Sequence, residues 1–162
     1  MKLPVAKDIL KTDVITVNLD MSVHDLANLF TQKMISGAPV VDKKEHLVGI
    51  VSMTDIVKSD GSRRALIEDE LQGDDIVRGW EEKIDREDFQ KLHLEALDDI
   101  SVRDIMSTVV YTAAENTPVT ELARLMLRGH IHRLIITRNY KVVGIVTTMD
   151  MLKVIQEYFS EK

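Results

Sequence analysis

The chain has 162 residues and no cysteine. Disulfides and thiolate chemistry are excluded, and the composition suits a reducing cytosol. No run approaches the roughly 18 apolar residues that a membrane helix needs. The start, MKLPVAKDILK, lacks the apolar stretch of a signal peptide. A soluble, cytoplasmic protein is expected. There is also no Walker-type glycine loop, and no Ser/His/Asp arrangement can be placed. An enzyme is therefore not expected.

Hydrophobic residues make up 44% of the chain, enough for a sizeable core. The net charge of −6 is unevenly placed. Positions 59–100 carry 14 acidic and 6 basic residues, a net of −8, against 13 acidic and 15 basic elsewhere. Such an acidic segment argues against nucleic acid as a partner. The nearly neutral remainder can accept a small anion.

The strongest feature is an internal repeat. The text VVGIVTTMDMLK at 142–153 occurs earlier as LVGIVSMTDIVK at 47–58. Each is an apolar run that passes into a helix. Each sets a hydroxyl three residues before a carboxylate at the strand-to-helix turn: Ser52 with Asp55, and Thr147 with Asp150. Upstream, Asp8-Ile9 matches Asp104-Ile105, and Thr12, Val14 and Thr16 match Thr108, Val110 and Thr112, all at a spacing of 96. The block 49–55 matches 144–150 at 95, so one residue has been lost in a turn between, where loops tolerate it.

Each copy reads as β-α-β-β-α, a mixed α/β (α+β) fold. Short β-branched strands are expected at 14–17 and 110–112. Helices follow with apolar residues at helical spacing: Val23, Leu26, Ala27 and Phe30, then Val119, Leu122, Ala123 and Met126. Thr117-Pro118 predicts an N-cap followed by a first-turn proline. Ser22 with Asp25 is a weaker form of the capping box. Strands 38–41 with 47–51, and 134–137 with 142–146, are joined by polar turns into hairpins. A copy of roughly 50 residues buries too little surface to stand alone, so the two are expected to pack as a pair. Domains are accordingly read as 1–58, 59–100 and 101–162. In the middle one, helices are expected over 62–72, 74–84 and 86–97, because apolar residues there are too periodic for a flexible linker.

Three sets of residues now carry a resemblance. They are Asp8-Ile9 and Asp104-Ile105-Met106 at the copy starts, the run Ala38-Pro39-Val40-Val41-Asp42, and the Gly-Ile-Val-Ser/Thr-x-x-Asp blocks at 49–55 and 144–150. The chain resembles the CBS-domain family, named after cystathionine β-synthase, over nearly all of its length except about 59–100. The resemblance implies a tandem pair of CBS repeats (a Bateman module) packed with pseudo-two-fold symmetry, with the helical segment inserted between them. It further implies two clefts where the copies meet, adenosine-containing ligands, and a homodimer.

The chemistry of the motif agrees with that implication. A carboxylate can accept hydrogen bonds from both hydroxyls of a ribose, the role expected of Asp150 and Asp55. The hydroxyls of Thr147 and Ser52 can donate to phosphate, and a helix N-terminus behind them favours an anion. The resemblance implies adenine contacts from Thr12, Asp13 and Val14 and from Thr108, Val109 and Val110. The apolar strands offer Ala38, Pro39, Leu134 and Ile135 as surfaces for the ring. In one family member, a kinase regulatory subunit, a His-Arg pair contacts ligand phosphates; His132-Arg133 stands at that motif position. Arg133 suits a charge-assisted phosphate contact. The first copy has Ser36-Gly37 there, so the sites are expected to be unequal, with the one around Thr147 and Asp150 favoured.

AMP, ADP, ATP, S-adenosylmethionine and NAD all remain open as the regulatory ligand, with no other cofactor required. The leading functional reading is a ligand-sensing module that signals to a separate effector protein. The alternative is a ligand-free scaffold that docks a partner through the 59–100 segment. Asp55 and Asp150 also fit plain helix caps. His130 and His132 form His-x-His, but no third ligand can be named, so no metal is expected.

Overall fold

A computed structural model of the chain describes residues 3–59 and 97–160. The helices expected over 59–100 lie outside the described residues, apart from their last position, Leu97. The chain divides into two compact units, and each mixes the two copies. One comprises Met1–Val14 with Val110–Lys162; the other is Ile15–Val109.

In the Ile15–Val109 unit, strand β1 (Val17–Asn18) pairs parallel with β2 (Gly37–Val41), which pairs antiparallel with β3 (Leu47–Ser52). Helix α2 (Val23–Lys33) connects β1 to β2, and α3 (Met53–Ser59) follows β3. Val23, Leu26, Ala27 and Phe30 of α2 are buried with Ala38, Val40, Val51 and Ile56. The period of three and four on the helix meets the period of two on the strands, so both apolar faces close over one core. A single turn, α4 (Val102–Ile105), completes this unit from the start of the second copy. Its Val102 is fully buried in the same core.

The other unit repeats the plan. Strand β4 (Thr112–Ala114) runs parallel to β5 (Arg133–Arg138), which runs antiparallel to β6 (Lys141–Thr147). Helix α5 (Val119–Gly129) joins β4 to β5, and α6 (Thr148–Ser160) follows β6. The opening turn of the whole chain, α1 (Ala6–Ile9), belongs here, with Ala6 fully buried beside Leu122, Leu134 and Val146.

Crossing of the opening segments explains the repeated Asp-Ile. Asp8 Oδ2 accepts the Val5 N–H at 2.9 Å, and Asp104 Oδ2 accepts the Ser101 N–H at 2.9 Å, each acid capping its own one-turn helix. Lys11 and Ile145 then exchange both backbone hydrogen bonds at 2.9 Å. Ser107 and Ile50 do the same in the other unit, also at 2.9 Å. A β-carbon on Gly144 would lie 2.8 Å from the Lys11 carbonyl oxygen, and one on Gly49 would lie 2.8 Å from that of Ser107. The glycines of the Gly-Ile-Val block therefore make room for the crossing backbone.

Several local expectations need correction. The first strand of each unit starts later than expected, at Val17 and Thr112 instead of 14 and 110. In the first case residues 11–14 are already engaged: Lys11 bridges to Ile145, and the Val14 N–H turns back to the Thr12 carbonyl at 2.9 Å. The capping order is also reversed. Ser22 is a true N-cap, its Oγ accepting the Asp25 N–H at 3.0 Å. Pro118, not Thr117, occupies the N-cap of α5, and no side chain caps that helix. The Thr117 carbonyl accepts the Ala6 N–H at 2.8 Å instead, and the Val119 N–H is taken by Pro4.

Candidate functional site

Each Ser/Thr-x-x-Asp motif folds into the same local device. In the unit that contains β6, that strand delivers Thr147 and α6 delivers Asp150. Asp150 Oδ2 accepts the Thr147 N–H at 3.0 Å and its hydroxyl at 2.7 Å, while the Asp150 N–H returns to Thr147 Oγ1 at 3.3 Å. In the other unit Asp55 Oδ2 accepts the Ser52 N–H at 2.8 Å and its hydroxyl at 2.7 Å, with the return bond at 3.4 Å. Both are reciprocal capping boxes. The strand-to-helix turn needs them, because the first amides of each helix have no partner within it.

The hydroxyls of Thr147 and Ser52, expected as phosphate donors, are here bonded to the carboxylates. A hydroxyl has one hydrogen, and in both cases it points at the carboxylate. The carboxylates retain acceptor capacity, since the capping bonds all use Oδ2 and an ionised carboxyl offers about four lone-pair positions.

The two sites differ in what faces the acid. Asp150 is 4% exposed. Its Oδ1 lies 3.5 Å from Lys11 Nζ and 3.8 Å from Lys153 Nζ. Burial pushes its carboxyl up. The hydroxyl and amide of Thr147 and the Lys11 ammonium outweigh that and hold it below the ordinary carboxylate value. Asp55 is half-buried, and there burial prevails: its carboxyl sits above the ordinary value despite Ser52 and Lys58. Lys11 went unnoticed in the sequence. It lies far from Asp150 along the chain, and only the crossing of the opening segment brings it there. The repeat spacing of 96 sets Ser107 at the matching place in the other unit.

The remaining candidates distribute as follows. Thr12, Asp13 and Val14 follow Lys11 within the Asp150 unit, not the Asp55 unit of their own copy. Thr108 and Val109 follow Ser107 within the Asp55 unit, and Val110 opens the other. Thr12, Asp13, Thr108 and Val109 are exposed. Ala38 and Leu134 are fully buried in the core of their own unit. Pro39 and Ile135, one residue on, sit on the opposite sheet face and are buried as well. Arg133 is half-buried and stands opposite Thr147 in the β5–β6 ladder, as Gly37 stands opposite Ser52. The His132 carbonyl accepts the Thr148 N–H at 2.9 Å, as the Ser36 carbonyl accepts that of Met53. Among the described residues no three acidic or imidazole groups gather to hold a metal ion. No helix among them is long and apolar enough to cross a membrane.

Comparison with known proteins agrees with this geometry. The family model described as the CBS domain matches twice, over residues 6–61 and 102–157. An uncharacterized protein of Methanocaldococcus jannaschii is 32% identical over 150 residues, which is 91% of this chain and 88% of that protein. Three further relatives from the same organism are longer, and this chain spans 38%, 42% and 23% of them. Among solved structures, the CBS domain of a membrane protein from Sphaerobacter thermophilus is 27% identical, with a TM-score of 0.67 over 94% of this chain and 88% of that one. A CBS domain pair solved in complex with 5′-methylthioadenosine and S-adenosyl-L-methionine is 25% identical, with a TM-score of 0.62 over 97% of this chain and 99% of that one. Two matched repeats, each with the sheet order and crossing segment described above, make this chain a member of the CBS-domain family.

Proposed function

We propose that the chain is a regulatory module that binds an adenosine-containing ligand and passes its occupancy to a separate effector protein. The observation that carries the reading is Asp150: a buried carboxylate, held in place by the amide and hydroxyl of Thr147, with Oδ1 outside the capping box. Such a group suits the paired hydroxyls of a ribose, which need a fixed acceptor. Asp55 is the matching acceptor in the other unit. Thr12–Val14 and residues 108–110 are the adenine contacts, and Pro39 and Ile135, on the sheet face opposite Ala38 and Leu134, are the apolar neighbours. The 25%-identical pair that holds two adenosyl compounds supports the ligand class.

Signalling then follows from differential affinity. A ligand can shift the module between two states only by as much as it binds one of them better. Adenine nucleotides (AMP, ADP or ATP), S-adenosylmethionine and NAD are the ligands to screen. A cytosolic homodimer is the assembly proposed. The test is a thermal-shift screen of the full chain, followed by titration of Asp150→Ala. Ligand at roughly 100 times its Kd should add about 2.7 kcal/mol, a rise of several degrees in Tm. Asp150→Ala should abolish or sharply weaken binding; undiminished affinity overturns the site.

The net of −8 over 59–100 favours a second reading, a scaffold that docks a basic partner through that segment. Deleting most of the segment separates the two. A sensor keeps its ligand affinity, and a scaffold loses its partner.

A further inference from the structure

The repeat makes the two sites comparable position by position, and the comparison shows a difference in charge. Around Asp150 stand Lys11 at 3.5 Å and Lys153 at 3.8 Å, and Arg133 is the ladder partner of Thr147. The matching positions around Asp55 are Ser107, Lys58 and Gly37. Among the described residues, two lysines thus face one carboxylate in the first site, an excess of one positive charge. In the second, Lys58 and Asp55 cancel.

We infer that the two sites select ligands of different charge. The Asp150 site takes an adenosyl ligand bearing a phosphate, with Lys11 as its selecting cation. The Asp55 site takes an adenosyl ligand without one. The inference rests on the adenosyl reading above and goes beyond it in assigning a ligand class to each site. A phosphate monoester carries about −1.5 to −2 charges at neutral pH, and the excess positive charge of the first site attracts it. Placed in the second it would meet no net positive charge and an acid.

Lys11 is well suited to the role. Its backbone is clamped on both sides by Ile145, so the start of the side chain is fixed. Its ammonium ends a four-carbon stem and is 58% exposed, so it can swing from Asp150 to a phosphate without unfolding anything. Ser107 is clamped to Ile50 in the same way but carries only a short hydroxyl, which accepts the Val109 N–H at 3.3 Å. The opposite displacements of the two carboxyls from their ordinary value agree with this contrast.

The test is isothermal titration of the full chain with AMP and with adenosine, in the wild type, Lys11→Met and Ser107→Lys. Methionine keeps most of the stem and removes the charge, and the backbone clamp does not depend on the side chain. Lys11→Met should weaken AMP about tenfold and leave adenosine within about twofold, the effect of one charge-assisted hydrogen bond. It should also flatten the salt dependence of AMP binding. Ser107→Lys should strengthen AMP about tenfold at the second site. If both compounds bind the wild type and neither variant alters the ratio of AMP to adenosine affinity, the charge assignment is overturned while the adenosyl reading stands. If neither compound binds the wild type, the adenosyl reading falls and the assignment falls with it.

Discussion

Replacing Gly144 with alanine tests how the sites are assembled. The new β-carbon would lie 2.5 Å from Leu10 Cδ1 and 2.8 Å from the Lys11 carbonyl oxygen. The leucine side chain can rotate away. The carbonyl cannot, because it belongs to the backbone and is held by the Ile145 N–H at 2.9 Å. Comfortable non-bonded contacts begin near about 3.5 Å, so the crossing segment must withdraw by roughly half an ångström or more. Overpacking of this kind costs about 1–3 kcal/mol. Stretching the two Lys11–Ile145 hydrogen bonds adds up to about 1 kcal/mol each. A loss of about 1–5 kcal/mol results, which at about 2–4 °C per kcal/mol is a fall in Tm of roughly 2–20 °C. Calorimetry of the full chain reads the shift. Hydrogen exchange at the Lys11 and Ile145 amides shows whether the clamp has opened. A Tm within about 2 °C of the wild type, with both amides still protected, refutes the account of this glycine.

Other consequences are equally direct. The carboxyl of Asp150 is held below its unfolded value, so it adds stability above about pH 4 that is lost as pH falls through its folded value. That of Asp55 is raised, so its contribution is present below about pH 4 and erodes as pH rises through its folded value. At neutral pH, Asp150→Asn should lower Tm and Asp55→Asn should leave it level or raise it; melts across pH 3–8 check the signs, and matching shifts in the two variants contradict them. Ser22→Ala should cost about 1 kcal/mol as a lost N-cap, whereas Thr117→Ala should stay within about 0.5 kcal/mol, read by denaturant midpoints. Leu122→Ala empties a fully buried position and should cost about 2–5 kcal/mol by the same measurement.

Much of the fold was legible along the chain because its causes are local. The apolar spacing of Val23, Leu26, Ala27 and Phe30 predicts a helix with one buried face, and that face is buried. The repeated Gly-Ile-Val-Ser/Thr-x-x-Asp block places a carboxylate at each strand-to-helix turn, where Asp55 and Asp150 stand. Capping, strand alternation and turn chemistry all act within a few residues, so a motif read twice is good evidence for them. Where local rules compete, reading along the chain fails. Thr117-Pro118 looks like the better helix start, yet Ser22 makes the cap, while Pro118 takes the N-cap of α5 and the Thr117 carbonyl accepts the N–H of Ala6 from a remote part of the chain.

What only the tertiary structure decided is which opening segment serves which sheet. Residues 10–11 lie against β6 and residues 106–107 against β3, through backbone hydrogen bonds that carry no side-chain signature. From that crossing come the features that distinguish the sites: Lys11 on Asp150, Ser107 in its place near β3, and opposite displacements of the two carboxyls. By itself the sequence determined two copies of one fold and the acid in each. The electric field at each acid depends on distances between residues far apart in the chain, and folding sets those distances.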